Sequence, residues 1–194
     1  MLLWHRPGAS ASFWVRPAGF EDDTWLMSDR PTTENPYGTP STTGPEPIGK
    51  SQARTNKIVR SLLRVPGISR VVGNYLMTLH IVGRKSGKRY DVPVAYTKHD
   101  GSLLIGTALR PWVKNLQAGD PVQVSRGRKP EMFVPVVHTA EQDVMRLYAI
   151  IAADNKTNAK FNGIGFTADG APNKADLYQT WQLGGVVIEL TPQA

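Results

Sequence analysis

Between Leu76 and His138 the chain repeats short runs rich in β-branched and aromatic residues, and this pattern limits its fold more than any other feature. The runs are LMTLHIV (76–82), RYDVPVAYT (89–97), SLLIGTA (102–108), PVQVSRG (121–127) and PEMFVPVVH (130–138). GRKSGK, KHDG, AGD and GRK punctuate them as turns. Leu109–Ala118 reads as an interrupting helix with Pro111 near its first turn. AEQDVMRLYAIIA (140–152) reads as a second, with Val144, Leu147, Tyr148 and Ile151 on one face. A long loop over 154–173, a short helix through ADLYQTW and a last strand, GGVVIELT (184–191), complete the order. Short antiparallel strands with a few helices predict an α+β fold whose sheet closes into a small barrel.

Upstream of the strands the composition changes. Residues 31–49 hold five prolines, three glycines and five threonines, too little apolar area to offset the entropy of ordering, so a disordered tail and linker is expected over 1–50. Three tryptophans (4, 14, 25) without periodicity lead to the further expectation that Met27 is the biological start. Residues 51–75 read as a basic amphipathic helical arm: Ile58/Leu62 and Val59/Leu63 form i,i+4 apolar pairs between Arg54, Lys57, Arg60 and Arg64. Two readings of that arm stay open, a helix packed on its own domain or a peripheral contact with the anionic inner face of a membrane. The remainder, 76–194, is then the barrel domain.

Charge is concentrated in one stretch. From Lys50 to Tyr90 there are ten Lys and Arg and no acid, so the remaining 13 basic and 16 acidic residues balance to −3. All of the positive excess lies in that stretch, which implies an anionic partner. With no cysteine, and with His5, His80, His99 and His138 at no ligand-like spacing, neither disulfides nor a metal centre is expected. The N-terminus lacks the unbroken apolar stretch of a signal peptide, and the longest apolar run, YLMTLHIV, is about a third of a membrane span. The expected location is the cytoplasm.

Four cations, Arg84, Lys85, Lys88 and Arg89, crowd the first hairpin turn. GRKSGK has the look of a nucleotide-binding phosphate loop, but that loop opens a helix, whereas here an alternating strand with Pro93 follows. The NTPase reading fails. A glycine-flanked turn still offers backbone N–H groups to an anion, and Arg84 and Lys85 add side-chain donors. From the residues alone, a solvated basic turn and an anion site remain open.

The order strand, GRKSGK, strand with proline, DG, strand, PWxxNL, two strands, helix, YQxW, strand resembles the deazaflavin-dependent nitroreductase family, from about Asn56 to Thr191. The anchor is VGRKSGKRYDVPVAY, supported by Trp112, Asn115, Leu116, Tyr178 and Trp181. The resemblance implies a split β-barrel of the FMN-binding type and coenzyme F420, with the phosphate and glutamyl tail held by Arg84, Lys85, Ser86, Gly87 and Lys88. It implies that Thr107 and Trp112 lie beside the deazaflavin ring. The family's longer ring-side loop with its lysine is missing, and Arg110 stands in for that charge. A C-terminal aromatic on the substrate side corresponds to Tyr178; because reducing a quinone or nitro group consumes protons, its phenol is the candidate proton donor, the alternative being a core residue packed with Trp181.

The expected activity is hydride transfer from reduced deazaflavin to a quinone-like, nitro or other electron-poor small molecule. The shortened loop keeps FMN or haem as alternative cofactors. A non-catalytic binder of a hydrophobic ligand is a second alternative. A nucleic-acid binder is disfavoured, because the basic stretch has only Tyr75 and Tyr90 for stacking and no reading motif.

Overall fold

The computed structural model describes residues 30, 34–45, 76–126 and 129–193. The expectations for residues 1–26, for the start at Met27 and for the helical arm at 51–75 lie outside them.

Seven strands form one sheet: β1 (Leu76–Val82), β2 (Arg89–Ala95), β3 (Thr97–His99), β4 (Ser102–Ala108), β5 (Val122–Ser125), β6 (Pro130–His138) and β7 (Gly185–Pro192). Their order is β2-β1-β5-β6-β7-β4-β3, and every neighbouring pair is antiparallel. The two edge strands, β2 and β3, are consecutive in sequence with only Tyr96 between them. One continuous segment therefore leaves one edge of the sheet and enters the other. A flat seven-stranded sheet forbids that, so the sheet curls until its edges meet at Tyr96. No ladder joins β2 to β3 or β4, and the result is a split half-barrel.

Strand periodicity fills the barrel. Met77, Leu79 and Ile81 of β1, Val122 and Val124 of β5, and Val186, Ile188 and Leu190 of β7 all point inward with Phe133, Val94 and Ile105. Each such side chain contributes about 1.5–3 kcal/mol by leaving water. Alternate residues face out, and Leu104 and Val187 form the floor of a second cluster. On it pack α1 (Glu141–Asp154) through Val144, Leu147, Tyr148 and Ile151, and α3 (Lys174–Gln182) through Leu177, Tyr178 and Trp181. Gly106 is required here, because a Cβ would come within 2.5 Å of the Tyr148 ring.

Four local expectations change. The helix read over Leu109–Ala118 shrinks to one 3-10 turn, η1 (Val113–Leu116), with no side-chain cap at Trp112 and a left-handed Gly119 beyond it. The run read as 89–97 breaks at Tyr96, and Thr97 joins Lys98 and His99 of the KHDG turn in a three-residue strand, β3, whose hairpin turns at Asp100 and Gly101, both at positive φ (47° and 79°). The loop read over 154–173 contains α2 (Lys156–Phe161), capped by the Asn155 side chain accepting from Asn158 N–H.

The fourth change concerns the linker. Within the stretch read as disordered, residues 34–45 lie against α3 and the loop before it. The buried Asp176 carboxylate accepts from Ser41 N–H and Oγ–H, both at 2.6 Å, from Thr42 N–H and from Gly165 N–H. Asn35 donates to Ala175 O, and the Thr42 hydroxyl donates to Gly163 O. Charge-assisted hydrogen bonds, rather than apolar area, order this strap.

Candidate active site

The β1–β2 hairpin closes over Gly83–Lys88. Gly83 N–H donates to Lys88 O (2.9 Å) and Gly87 N–H to Gly83 O (2.8 Å). Gly87 sits at φ 63°, the left-handed region in which only glycine is unstrained. Lys88 N–H donates to Ser86 Oγ, which lies 3.3 Å from the Tyr90 hydroxyl. A side chain at Gly83 would strike Ser86 Oγ and the ring of Tyr90. Arg84 N–H reaches out of the hairpin to Asn115 Oδ1 at 3.0 Å, and Asn115 Nδ2 donates to Trp112 O. One amide thus ties the basic turn to η1.

Two backbone donors, the N–H groups of Lys85 and Ser86, find no acceptor among the described residues. Arg84, Lys85 and Lys88 are exposed and have no ion pair there either. Arg89, the next cation along, is different: it lies 3.6 Å from the Asp91 carboxylate and donates to Gln123 Oε1. The sheet neutralises Arg89 and leaves its three neighbours uncompensated. Free N–H donors among uncompensated cations are the composition of an anion site.

The segment beyond β4 runs to the same place. Leu109 and Trp112 pack against the barrel cluster, and Val113 and Leu116 belong to it. Arg110 is half-buried, makes no hydrogen bond or ion pair through its side chain among the described residues, and has its pKa lowered by desolvation. A cation held out of water without a counter-charge favours an anion or a polarised carbonyl beside it. Thr107 pairs with Val186, and its carbonyl accepts the Tyr148 hydroxyl at 3.1 Å. Tyr148 is fully buried, and desolvation pushes its phenol well above the ordinary tyrosine range.

The structure brings together the turn residues Arg84, Lys85, Ser86, Gly87 and Lys88 with Trp112, through Asn115, and Arg110 lies two residues before Trp112 on the same segment. It does not bring Tyr178 to them. Tyr178 is 3% exposed and packs in the helical cluster between Tyr37 and Trp181, at ring-centroid distances of 5.7 and 5.4 Å. Asn115, a marker of the family resemblance in the sequence, is also a structural tie of the site. An asparagine closing a short turn after PW is itself a hydrogen-bonding signal.

A curled antiparallel half-barrel whose two edge strands are consecutive in sequence belongs to the class of split β-barrels. Within it the chain belongs to the family of F420H(2)-dependent quinone reductases, whose model matches residues 53–162, more than half of its length. Its cofactor is therefore coenzyme F420, ahead of the FMN and haem alternatives, and its activity is that of an F420-dependent reductase. Among solved structures, the conserved hypothetical protein Rv2991 from Mycobacterium tuberculosis is 16% identical, over 79% of this chain and 87% of that one, with a TM-score of 0.45. The F420-H2-dependent reductase FDR-A is 19% identical over 59% and 92%, with a TM-score of 0.40. HutZ, the haem storage protein from Vibrio cholerae, is 10% identical over 71% and 89%, also at 0.40. No curated protein matches the chain in sequence. Among the described residues no helix is long and apolar enough to cross a membrane, and no cluster of His, Asp and Glu is arranged to hold a metal.

Proposed function

We propose that the protein reduces quinone-like, electron-poor small molecules with F420H2, and that the GRKSGK hairpin holds the anionic tail of the coenzyme. The observation that carries this reading is the uncompensated turn: free N–H groups at Lys85 and Ser86 beside Arg84, Lys85 and Lys88, none ion-paired among the described residues. Phosphate and glutamyl carboxylates match those donors in charge and in hydrogen-bonding type. Gly87 keeps the turn tight enough for its backbone to approach an anion, and Asn115 fixes Arg84 relative to η1.

When bound, reduced F420 supplies the hydride. The chain's own part is positioning and exclusion of water. Trp112 and Leu109, packed on the barrel, give an apolar wall for a planar ring, and Thr107 lines the end of β4 beside it. Arg110 lies where it can stabilise negative charge developing on an acceptor oxygen, and its partial burial strengthens that interaction. Quinone carbonyls suit a single guanidinium of this kind. Nitro compounds fall within the same electron-poor class. Tyr178, packed in the helical layer, serves the core and carries no proton transfer.

Parallel titration of the purified protein with F420 and FMN, followed by turnover of F420H2 with a benzoquinone, tests the proposal. Preferential F420 binding and quinone-dependent oxidation of F420H2 are expected. Equal or tighter binding of FMN, or F420 binding without turnover, would remove it.

A further inference from the structure

The outward face of β2-β1-β5, a part of the helix-bearing sheet face that α1 and α3 leave uncovered among the described residues, holds a row of polar side chains that the reductase reading does not use. His80 of β1 lies between Asp91 of β2 and Ser125 of β5. Its Nδ1 is 2.7 Å from Asp91 Oδ1, and its Nε2 is 2.8 Å from Ser125 Oγ. An ionised carboxylate only accepts hydrogen bonds, so Nδ1 carries the proton and donates. In the neutral ring Nε2 is then the acceptor, and Ser125 O–H donates to it. Register sets this up: His80 stands directly opposite Asp91, and Ser125 lies diagonally across on β5. The imidazole side chain is 13% exposed, held on both sides and still reachable.

We propose that Asp91, His80 and Ser125 act as a charge-relay row, making Ser125 a nucleophile toward small activated acyl and phosphonyl esters. Ser125 Oγ attacks the acyl carbon as its proton passes to His80 Nε2, and Asp91 stabilises the imidazolium. The bond from that carbon to the leaving oxygen breaks, and the leaving group takes the proton from Nε2. Water then attacks the acyl carbon, giving a proton to Nε2; the C–Oγ bond breaks, Oγ takes the proton back from Nε2, and the acid is released. With a fluorophosphonate, Oγ attacks phosphorus, fluoride leaves, and the adduct stays on Ser125. Two donors flank the nucleophile: Thr78, opposite Ser125 in register, and Gln123, two residues along the same face. Gln123 Oε1 is taken by Arg89, which leaves its amide N–H groups available among the described residues. Among the described residues neither α1 nor α3 packs its cluster over β1, β2 or β5, and such a face favours small acyl groups and little selectivity for chain length.

The test uses the full chain without F420, with p-nitrophenyl acetate and a fluorophosphonate probe, the modified residue being located by peptide mass spectrometry. Expected are a burst of p-nitrophenolate and a Ser125 adduct that forms faster than any adduct at exposed Ser86. Ser125→Ala should abolish both at an unchanged melting temperature. His80→Ala should slow labelling at least ~100-fold, the usual worth of a general base. Asp91→Asn should slow it at least ~10-fold by releasing the tautomer. His80→Gln, which keeps hydrogen-bonding atoms in the row, guards against loss of fold and should be as slow as His80→Ala. Labelling of Ser125 no faster than Ser86, or at the wild-type rate in the His80 variants, would overturn the proposal.

Discussion

Removal of Arg84 and Lys85 is the perturbation for which the reading of the hairpin makes the sharpest quantitative claim. A hydrogen bond to a charged group contributes about 1.5–3 kcal/mol when desolvated. Both side chains are exposed, and exposed ion pairs contribute only about 0.2–1 kcal/mol each. A ligand that covers the turn lies between those limits, so about 1–1.5 kcal/mol per cation is a reasonable scale. The double variant Arg84→Ala/Lys85→Ala then loses about 2–3 kcal/mol, or roughly 30–150-fold in Kd. Arg89→Ala is the control, because Arg89 is already engaged by Asp91 and Gln123, and it should change Kd by less than about 3-fold. The assay is fluorescence titration of F420 at several salt concentrations, with circular dichroism to verify the fold. Wild-type affinity should fall with salt more steeply than that of the double variant, because fewer ions are exchanged on binding once the cations are gone. Unchanged affinity in a folded double variant, or an equal loss in Arg89→Ala, would refute the assignment of the turn.

The strap and the buried tyrosines give three further tests. Asp176→Ala leaves four donors from Ser41, Thr42 and Gly165 without their acceptor, and should cost about 2–4 kcal/mol in urea unfolding. A loss under about 0.5 kcal/mol would mean that the strap contributes little. Tyr178→Phe should keep quinone turnover within about 2-fold, whereas Tyr178→Ala should destabilise by about 3–5 kcal/mol; a large drop in turnover for the phenylalanine variant at unchanged stability would restore its role as proton donor. Tyr148 has a folded pKa raised above its ordinary 10.0 by burial. The unfolded chain therefore releases this proton first, and the stability linked to it is full below pH 10 and lost above, at about 1.4 kcal/mol per pH unit. Tyr148→Phe should lack that component, so the difference between the two unfolding curves should grow from pH 10 to 11; a constant difference would contradict the burial argument.

Strand positions were legible because the runs are rich in β-branched and aromatic residues and bounded by turn residues: β1, β4 and β6 fall on the runs 76–82, 102–108 and 130–138. Closure of the sheet rests on Tyr96 alone separating two edge strands, and pairing order is not visible in a linear pattern. The strap at 34–45 was illegible for a related reason. Its ordering depends on one buried carboxylate more than a hundred residues away, which composition cannot report. In the candidate site the cations of GRKSGK were plain, but their state of compensation was not. Only the pairing of β1 with β2 and with β5 distinguishes paired Arg89, beside Asp91 and Gln123, from unpaired Arg84, Lys85 and Lys88. The proton-donor expectation for Tyr178 failed to find geometric support because YQTW places two aromatics on a helix face that the sheet buries.

The central claim, that this hairpin captures the charged end of F420, is tested most directly by comparing intact F420 with a 5-deazaflavin lacking the phosphate and glutamyl tail. The tail-less ring should bind at least about 30-fold more weakly, with an affinity indifferent to Arg84→Ala/Lys85→Ala and to salt. Equal affinities for the two ligands, or a tail-less ring that loses binding in the double variant as F420 does, would contradict it.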